Sequence, residues 1–423
     1  MDGVILRSIT VEKNHVEYRF EARGIIKDYF NTDTLFIDYD RDMTDVPKSV
    51  MTIPFVASII PLMWLTNTVM WVEELDRTFY DAVFKIKEAY QRLYYNYELK
   101  GNLVPARLTE NTYTPEQKSL LLFSGGIDAN TTYVRIRDQK PLLFNIQGWY
   151  KQRGDNDEAA DADIRDITAF SKREGLNFEY AKSNFAVLVN NDTFDRNIKK
   201  KLGDSWWHGF QHSMGFISIA IPVAYLLKIE KIYIASSVPM GEYVKCASYV
   251  TTDSEFKFAA VGGCVHDGSE LTRQDKVHVL VDYANQRKED YPIRVCSFND
   301  HNCCACDKCF RTILGIIAEG GDIKKYGFNI NGSLKDHFES LMKEKAHTFN
   351  IKGESRLHWP AIKKRMQENY EHIEDKKFVD WFLNFDFVDA QKKALRNYYR
   401  KNFFKIIARK LRKIFSILKR EII

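Results

Sequence analysis

At 423 residues, 45% of them hydrophobic and 13% aromatic, the chain is long enough for two or three folded units with buried cores. The net charge of +5 conceals an asymmetry: residues 391–423 hold twelve of the 62 Lys and Arg but one of the 57 Asp and Glu, which leaves −6 on the other 390 residues. The basic character therefore belongs to a tail, which excludes composition as a reason to expect a nucleic-acid-binding body. The opening MDGVILRSITVEKNH mixes acidic and basic side chains and lacks the apolar run of a secretory signal, so a cytoplasmic protein is expected.

Residues 1–40 read as short alternating strands, SITVEKNHVEYRFEA and TLFIDY, with breaks near Gly24 and Asn31. Residues 50–72 are uncharged and long enough to raise a membrane span, but Pro54, Pro61, Thr66, Asn67 and Thr68 interrupt them. A buried core or partner-facing segment is expected there. A charged helix, ELDRTFYDAVFKIKEAYQRLYYNYEL, and a Pro-containing connection close an N-terminal α+β domain, residues 1–113. From residue 114, the short apolar runs LLLFS, PLLFNIQG, LNFEYAKS and KIYIASS alternate with helical segments such as AADADIRDITAFSKREG and GFISIAIPVAYLLKIE. This pattern predicts an α/β domain over 114–325, with a doubly wound, mostly parallel sheet whose ligands gather at the carboxyl ends of its strands. SGGID and ASSVPMGEY fall at two such ends. Helices are expected beyond, in a region 326–390 and a basic amphipathic tail 391–423; no internal repeat or low-complexity segment is present.

In SLLLFSGGIDANTTYVRI, residues 119–136, an apolar run ends in Ser124-Gly125-Gly126-Ile127-Asp128 and a helical segment follows. Two glycines after a strand let backbone N–H groups approach an anion, and the helix adds its positive N-terminal end. Ser124 offers a hydroxyl donor, and Asp128 can orient a Mg²⁺ water or the attacking group, since ATP chemistry needs charge compensation by metal. The plain alternative is a tight turn with Asp128 as helix cap. The spacing is neither GxxxxGK[ST] nor GxGxxG.

Five of the seven cysteines lie within fourteen positions, in CSFNDHNCCACDKC. Cys303, Cys306 and Cys309, with Cys296 seven positions earlier, can converge on one cation, and four thiolates are typical of structural Zn²⁺. Crowding of this kind in an intracellular chain argues for metal over disulfides. An iron–sulfur cluster and redox-active or merely buried thiols are the other readings, His301 is an alternative ligand, and Cys304 is the odd thiol. FRTILGIIAEGG reads as an amphipathic helix whose start a metal would pin.

SGGID resembles the SGGxDS signature of the PP-loop ATP pyrophosphatases, the adenine nucleotide alpha hydrolase-like superfamily. It includes asparagine synthetase, GMP synthetase, tRNA-modifying sulfurtransferases and 7-cyano-7-deazaguanine synthase. There the loop holds the pyrophosphate of ATP while a substrate oxygen attacks the α-phosphorus. The final Ser of the signature is Ala129 here, and Thr131 or Thr132 could supply the missing hydroxyl. The likeness to 7-cyano-7-deazaguanine synthases extends, over residues 117–322, to the later cysteine and CxxCxxC with an Arg soon after, here Arg311. VHDGSELTRQDKV, residues 265–277, looks like the HDG…TRxxK segment of PP-loop proteins with an added N-terminal domain, some asparagine synthetase-like. The resemblance implies a PP-loop (HUP-like) fold, ATP, Mg²⁺ and Zn²⁺ as cofactors, and ATP contacts at Ser124, Gly125, Gly126, Ile127 and Asp128. Residues 1–113 and the helical C-terminal region depart from the compact deazaguanine enzyme.

Arg273 and Lys276 can neutralise a triphosphate or a leaving pyrophosphate, or simply form a solvated helix face. His266 and Asp267, before Gly268, are expected in a loop where they form a turn or serve the site. Ser236 and Ser237 follow the strand KIYIA, where they border the nucleotide or form a plain turn. SWWHGFQH gathers Trp206, Trp207, His208 and His212, suited to stacking a base or to core packing. In the tail, apolar positions 403, 407, 411, 414, 415 and 418 fall on one side of a helix, as in an interfacial membrane helix or one packed on protein.

The expected reaction is Mg-ATP-dependent adenylation of a substrate oxygen, a carboxylate above all, with pyrophosphate release and then attack by ammonia or an amine. Asp128, Arg273 and Lys276 would be its central residues and a small molecule its substrate; no nucleic acid is expected. No cysteine stands out as a nucleophile, because most belong to the cluster. The rival is a non-catalytic nucleotide-binding module that works through partners or a membrane.

Overall fold

A computed structural model describes residues 2–149, 157–242, 244–296 and 299–421; for residues 157, 159, 354 and 409–421 the backbone alone is described. The protein is α/β, with an 11-stranded mixed, mostly parallel sheet and a helical C-terminal region. It divides into two compact units, Met1–Tyr283 with Ser297–His301, and Ala284–Cys296 with Asn302–Ile423.

The sheet lies in the first unit. Its strands are β1 (Gly3–Glu12), β2 (His15–Arg23), β3 (Thr34–Tyr39), β4 (Val69–Asp76), β5 (Asn102–Thr109), β6 (Gln117–Leu122), β7 (Leu142–Gln147), β8 (Phe178–Ser183), β9 (Ile229–Ala235), β10 (Lys257–Phe258) and β11 (Gly262–Asp267). They run in the order β10-β11-β9-β6-β7-β8-β3-β2-β1-β4-β5. The stretch β11-β9-β6-β7-β8 is parallel throughout. β7, LLFNIQ, is buried at every position, as a parallel strand covered on both faces must be. From β6 the chain builds outward through β7 and β8, then returns to add β9 and β11 on the other side, so the order reverses between β6 and β9. At such a reversal the loops leaving the two strands diverge to opposite faces and leave a crevice at the carboxyl ends.

The N-terminal strands continue this sheet. β3 pairs antiparallel with β8 through Ile37 with Ser183, Asp38 with Lys182 and Tyr39 with Ala181. The boundary expected at residue 113 therefore falls inside one hydrogen-bonded sheet. Alternation in β2 and β3 reveals the strands, but the partner of β3 lies about 145 residues away in sequence, and local pattern carries no signal for it.

The apolar segment near residue 60 forms the helix Ile53–Thr66, in which residues 53–65 are all buried. It packs against the helix His212–Leu226, which is likewise apolar nearly all round. Pro54 sits in the first turn, where its missing N–H costs nothing, and Asn67, in the left-handed region at φ 53°, ends the helix. No helix among the described residues is long and apolar enough to cross a membrane.

The second unit is helical, with Asp307–Ala318, Leu334–Glu344, Trp359–Glu368, Lys376–Asn384 and Phe387–Glu421 as its main helices. Phe310 lies at its centre, its ring 4.4 Å from that of Phe338, and the Trp359 ring lies, tilted, 4.2 Å from that of Phe387. On the last helix Tyr399, Phe403, Phe404 and Ile407 are exposed. The tail positions 411, 414, 415 and 418 lie outside the described side chains.

Candidate functional site

The glycine loop leaves β6 at the reversal point. The Phe123 N–H donates to the Phe144 carbonyl at 2.8 Å, and Asn145 Nδ2 donates to the Phe123 carbonyl at 2.8 Å, so β7 fixes the last residue before the loop. Gly125 has φ +72°, and a Cβ there would meet nothing within 4 Å. Backbone conformation, and not space, requires the glycine. Gly126 is the N-cap of the helix Ile127–Ile136. Asn130 Nδ2 donates to the carbonyls of Gly125 (2.7 Å) and Gly126 (3.0 Å), which draws both carbonyls back toward the helix. That leaves the loop's amides and the helix N-terminus as its anion-binding groups.

Asp128, in the first helical turn, meets two cations: Arg273 Nη2 at 2.9 Å and Lys276 Nζ at 3.2 Å. Both come from the helix Arg273–Arg287. A capping box sets its start, with Asp275 accepting from the Thr272 N–H at 2.9 Å and Thr272 Oγ1 accepting from the Asp275 N–H at 3.2 Å. With the helix begun there, Arg273 and Lys276 stand three residues apart on one face. Lys276 also donates to the Ser236 carbonyl, and its burial lowers its pKa against the pull of Asp128. Asp128 thus holds two cations at the edge of the loop, within a wider cluster in which Arg135 pairs with Asp267 and Glu270.

A cavity of about 250 Å³ opens beside the loop, lined by Ser124, Asp128 and Ala129 on one side and by Ile234, Ala235 and Ser237 at the end of β9. Of the two serines after KIYIA, Ser237 is thus on the wall, while Ser236 is buried and donates its hydroxyl to the Val238 carbonyl. Thr131 and Thr132 do not face the cavity: Thr131 donates to the Ile127 and Lys276 carbonyls, and Thr132 to Asp267. His266 and Asp267 end β11 instead of forming a loop; His266 Nδ1 lies 2.8 Å from Asp253, and Asp267 pairs with Arg135 at 3.1 Å. Trp206 is core, against Phe194, whereas Trp207 stacks on Trp149, a cavity residue, at 6.2 Å and 11°.

The same cavity wall includes His212 and Ser248. His212 Nδ1 lies 2.9 Å from the Trp207 carbonyl, and its Nε2 lies 3.7 Å from Cys246 Sγ. His208, whose charge also acts on Cys246, has its Nδ1 2.9 Å from Asp204; Asp204 in turn accepts from Tyr94 Oη at 2.8 Å. The hydrogen bond to Asp204 and then that to Cys246 raise the pKa of His208 to about 10. Burial pushes the Cys246 thiol up, but the two imidazoles outweigh it and bring it down to about 6. Burial opposes charge on His212 as well, but the bond to Cys246, the charge there, the Trp207 carbonyl and Asp253 together raise its pKa. His208 sits in a π-helical turn, Trp207–Gln211, of a kind frequent at functional sites.

In the second unit the sulfurs of Cys296, Cys303, Cys306 and Cys309 all lie within 4.8 Å of one another, with Cys303 and Cys309 at 3.9 Å. Zn–S bonds of about 2.3 Å in a tetrahedron separate sulfurs by about 3.8 Å, so the four fit a metal such as zinc. Hydrogen bonding to Cys296 and then to Cys303 pushes the Cys306 and Cys309 thiols up, a burden a bound cation would reverse. Cys306 caps the helix Asp307–Ala318, its sulfur accepting from the Cys309 N–H at 3.5 Å. Cys304 has φ +52°, and its sulfur turns to the Asn302 carbonyl at 3.6 Å. His301 is 73% exposed and pairs with Asp300. Arg311 lies, half-buried, on the first turns of that helix.

No protein-family model matches this chain, and no curated protein matches it in sequence. The geometry brings Ser124, Gly125, Gly126, Ile127, Asp128, Arg273 and Lys276 together, and the four cysteines separately. Sequence reading passed over Asn130, Asn145, Asp204 and Cys246. Asp204, His208 and His212 do recur every four residues, a helical stripe that could have flagged the first of them; Cys246, alone in a loop, gives no such signal.

Proposed function

We propose that the protein is a PP-loop-type ATP pyrophosphatase that adenylates a substrate carboxylate and joins the acyl group to ammonia or an amine. The observation that carries this reading is the SGGID loop at the sheet's reversal point, with Asp128 held between Arg273 and Lys276 on the edge of a cavity. A carboxylate oxygen attacks the α-phosphorus and pyrophosphate leaves. The loop amides and Ser124 bind the departing phosphates, and Arg273 and Lys276 offset the charge that develops on them. Asp128 would hold Mg²⁺ through oxygen ligands, and the ion would supply further charge compensation. With Ala129 lacking a hydroxyl and Thr131 and Thr132 engaged elsewhere, backbone donors carry more of the phosphate contact. Zinc in the four-cysteine cluster would be structural, since four thiolates leave no open coordination position. The same proposal extends to a surface: the exposed aromatic residues and the basic charge of the last helix suit reversible contact with an anionic membrane.

The test is turnover of α-³²P-ATP with Mg²⁺, a panel of carboxylates and ammonium, with AMP read against ADP. AMP with pyrophosphate is expected, and Asp128→Asn or Gly126→Val should lower its formation on the order of 100-fold. ADP as product would overturn the mechanism. Tight ATP binding with no turnover on any carboxylate would favour a regulatory nucleotide-binding module.

A further inference from the structure

The group Tyr94, Asp204, His208, Cys246 and His212 has no part in the adenylation step, yet its last member stands on the wall of the same cavity. His212 and Ser248 stand on the wall with Ser124 and Asp128, and Cys246 contacts the first and lies two residues from the second. A carbonyl can only accept, so the Trp207 carbonyl fixes a proton on His212 Nδ1 and turns Nε2 toward the sulfur. His208 is oriented in the same way by Asp204. Imidazoles held like this convert a thiol into a nucleophile. The backbone beside the sulfur is fixed too: the Ala247 N–H donates to the His208 carbonyl at 2.7 Å, and the Ala247 carbonyl accepts from Tyr90 Oη at 2.9 Å and Thr252 Oγ1 at 3.1 Å. The other titratable and charged groups around it are Tyr90, Tyr94, Lys245 and Asp253. Ser248 is no rival nucleophile, because its hydroxyl donates to Asp253 at 2.7 Å and meets no imidazole base among the described residues.

We propose that Cys246 is a catalytic nucleophile that takes the acyl group from the adenylate and presents it to the amine as a thioester. This rests on the adenylation reading. The thiolate attacks the acyl carbon; a C–S bond forms, the C–O bond to AMP breaks, and AMP leaves with the electron pair. The amine then attacks the thioester, a C–N bond forms, the C–S bond breaks to return the thiolate, and the amine's surplus proton passes to water. AMP can depart before the amine enters, so a cavity of about 250 Å³ need not hold both.

Two measurements on the full-length, zinc-loaded protein test the proposal. The first is iodoacetamide labelling from about pH 5 to about pH 9, located by peptide mass spectrometry. Labelling of Cys246 with a midpoint near 6 is expected; a midpoint in the ordinary thiol range, or no labelling, would overturn the proposal. The second uses a carboxylate that supports pyrophosphate release. Cys246→Ala should keep the first burst of pyrophosphate but slow amide formation on the order of 100-fold or more, and acid-quenched wild-type protein should carry a hydroxylamine-sensitive acyl group on Cys246. Unchanged amide formation by the variant would overturn the thioester. If no carboxylate releases pyrophosphate from the wild type, the adenylation reading fails, and the thioester route built on it fails with it; the labelling profile then still decides whether Cys246 is an activated thiolate.

Discussion

At the scale of single residues, the molecule's charges cluster where they can be moved. Lys276 is buried against Asp128 and a backbone carbonyl, so an arriving phosphate would exchange one anionic partner for another without drawing the ammonium from water. His208, half exposed, is held in its charged form by its bond to Asp204. Its pKa of about 10 stands above the ordinary imidazole value of about 6.5, so the folded state favours its charged form. That contribution to stability is fully present below about pH 6.5 and is lost as pH rises through about 10. Asp204→Asn should therefore show its largest loss of stability in urea at the acid end of this range and converge on the wild type at the alkaline end. A deficit constant across the range would assign Asp204 to packing alone. The loop residues Ser124 to Asp128 were legible because glycines and a carboxylate at one strand end leave a local signature. Cys246 was not, because its activation depends on imidazoles more than thirty residues earlier, brought to it by tertiary contact.

Among elements, the short helix Asp307–Ala318 depends most on a single local device. Its N-cap is one of the four clustered cysteines, and its Phe310 is the hub of the second unit's aromatic core. A metal bound there would thus stand in series with the helix start and the core. Cys306→Ser should lower zinc from one ion per chain to a small fraction and reduce Tm, whereas Cys304→Ser should leave zinc in place; metal analysis and a thermal melt on the same samples check both. Loss of zinc in the Cys304 variant would make Cys304 a ligand in place of one of the four. The C-x₂-C-x₂-C spacing made this set readable, because seven residues of chain can hold three sulfurs only around one point. The helix Ile53–Thr66 was readable in a coarser way. Its prolines argued against a span, but nothing in it named the helix His212–Leu226 as its cover.

For the whole molecule, the tail's twelve basic residues against an otherwise acidic chain make charge a matter of position. Full-length protein should co-sediment with phosphatidylserine vesicles and not with phosphatidylcholine ones, and truncation after residue 390 should abolish this without changing ATP turnover; binding that survives truncation would place the membrane contact elsewhere. The parallel strands and their order of appearance were legible from alternation of strands and helices, but the union of the first strands with the rest was not, since β3 finds β8 only in the folded chain. That union has a consequence for inheritance. A recombination event at residue 113 would look harmless in the sequence, yet it would leave the backbone of β8 with an open, adhesive border where β3 had been, and strip the cover from the helix His212–Leu226. The first 113 residues are therefore not an appendage beside a finished sheet but a wall that its core needs.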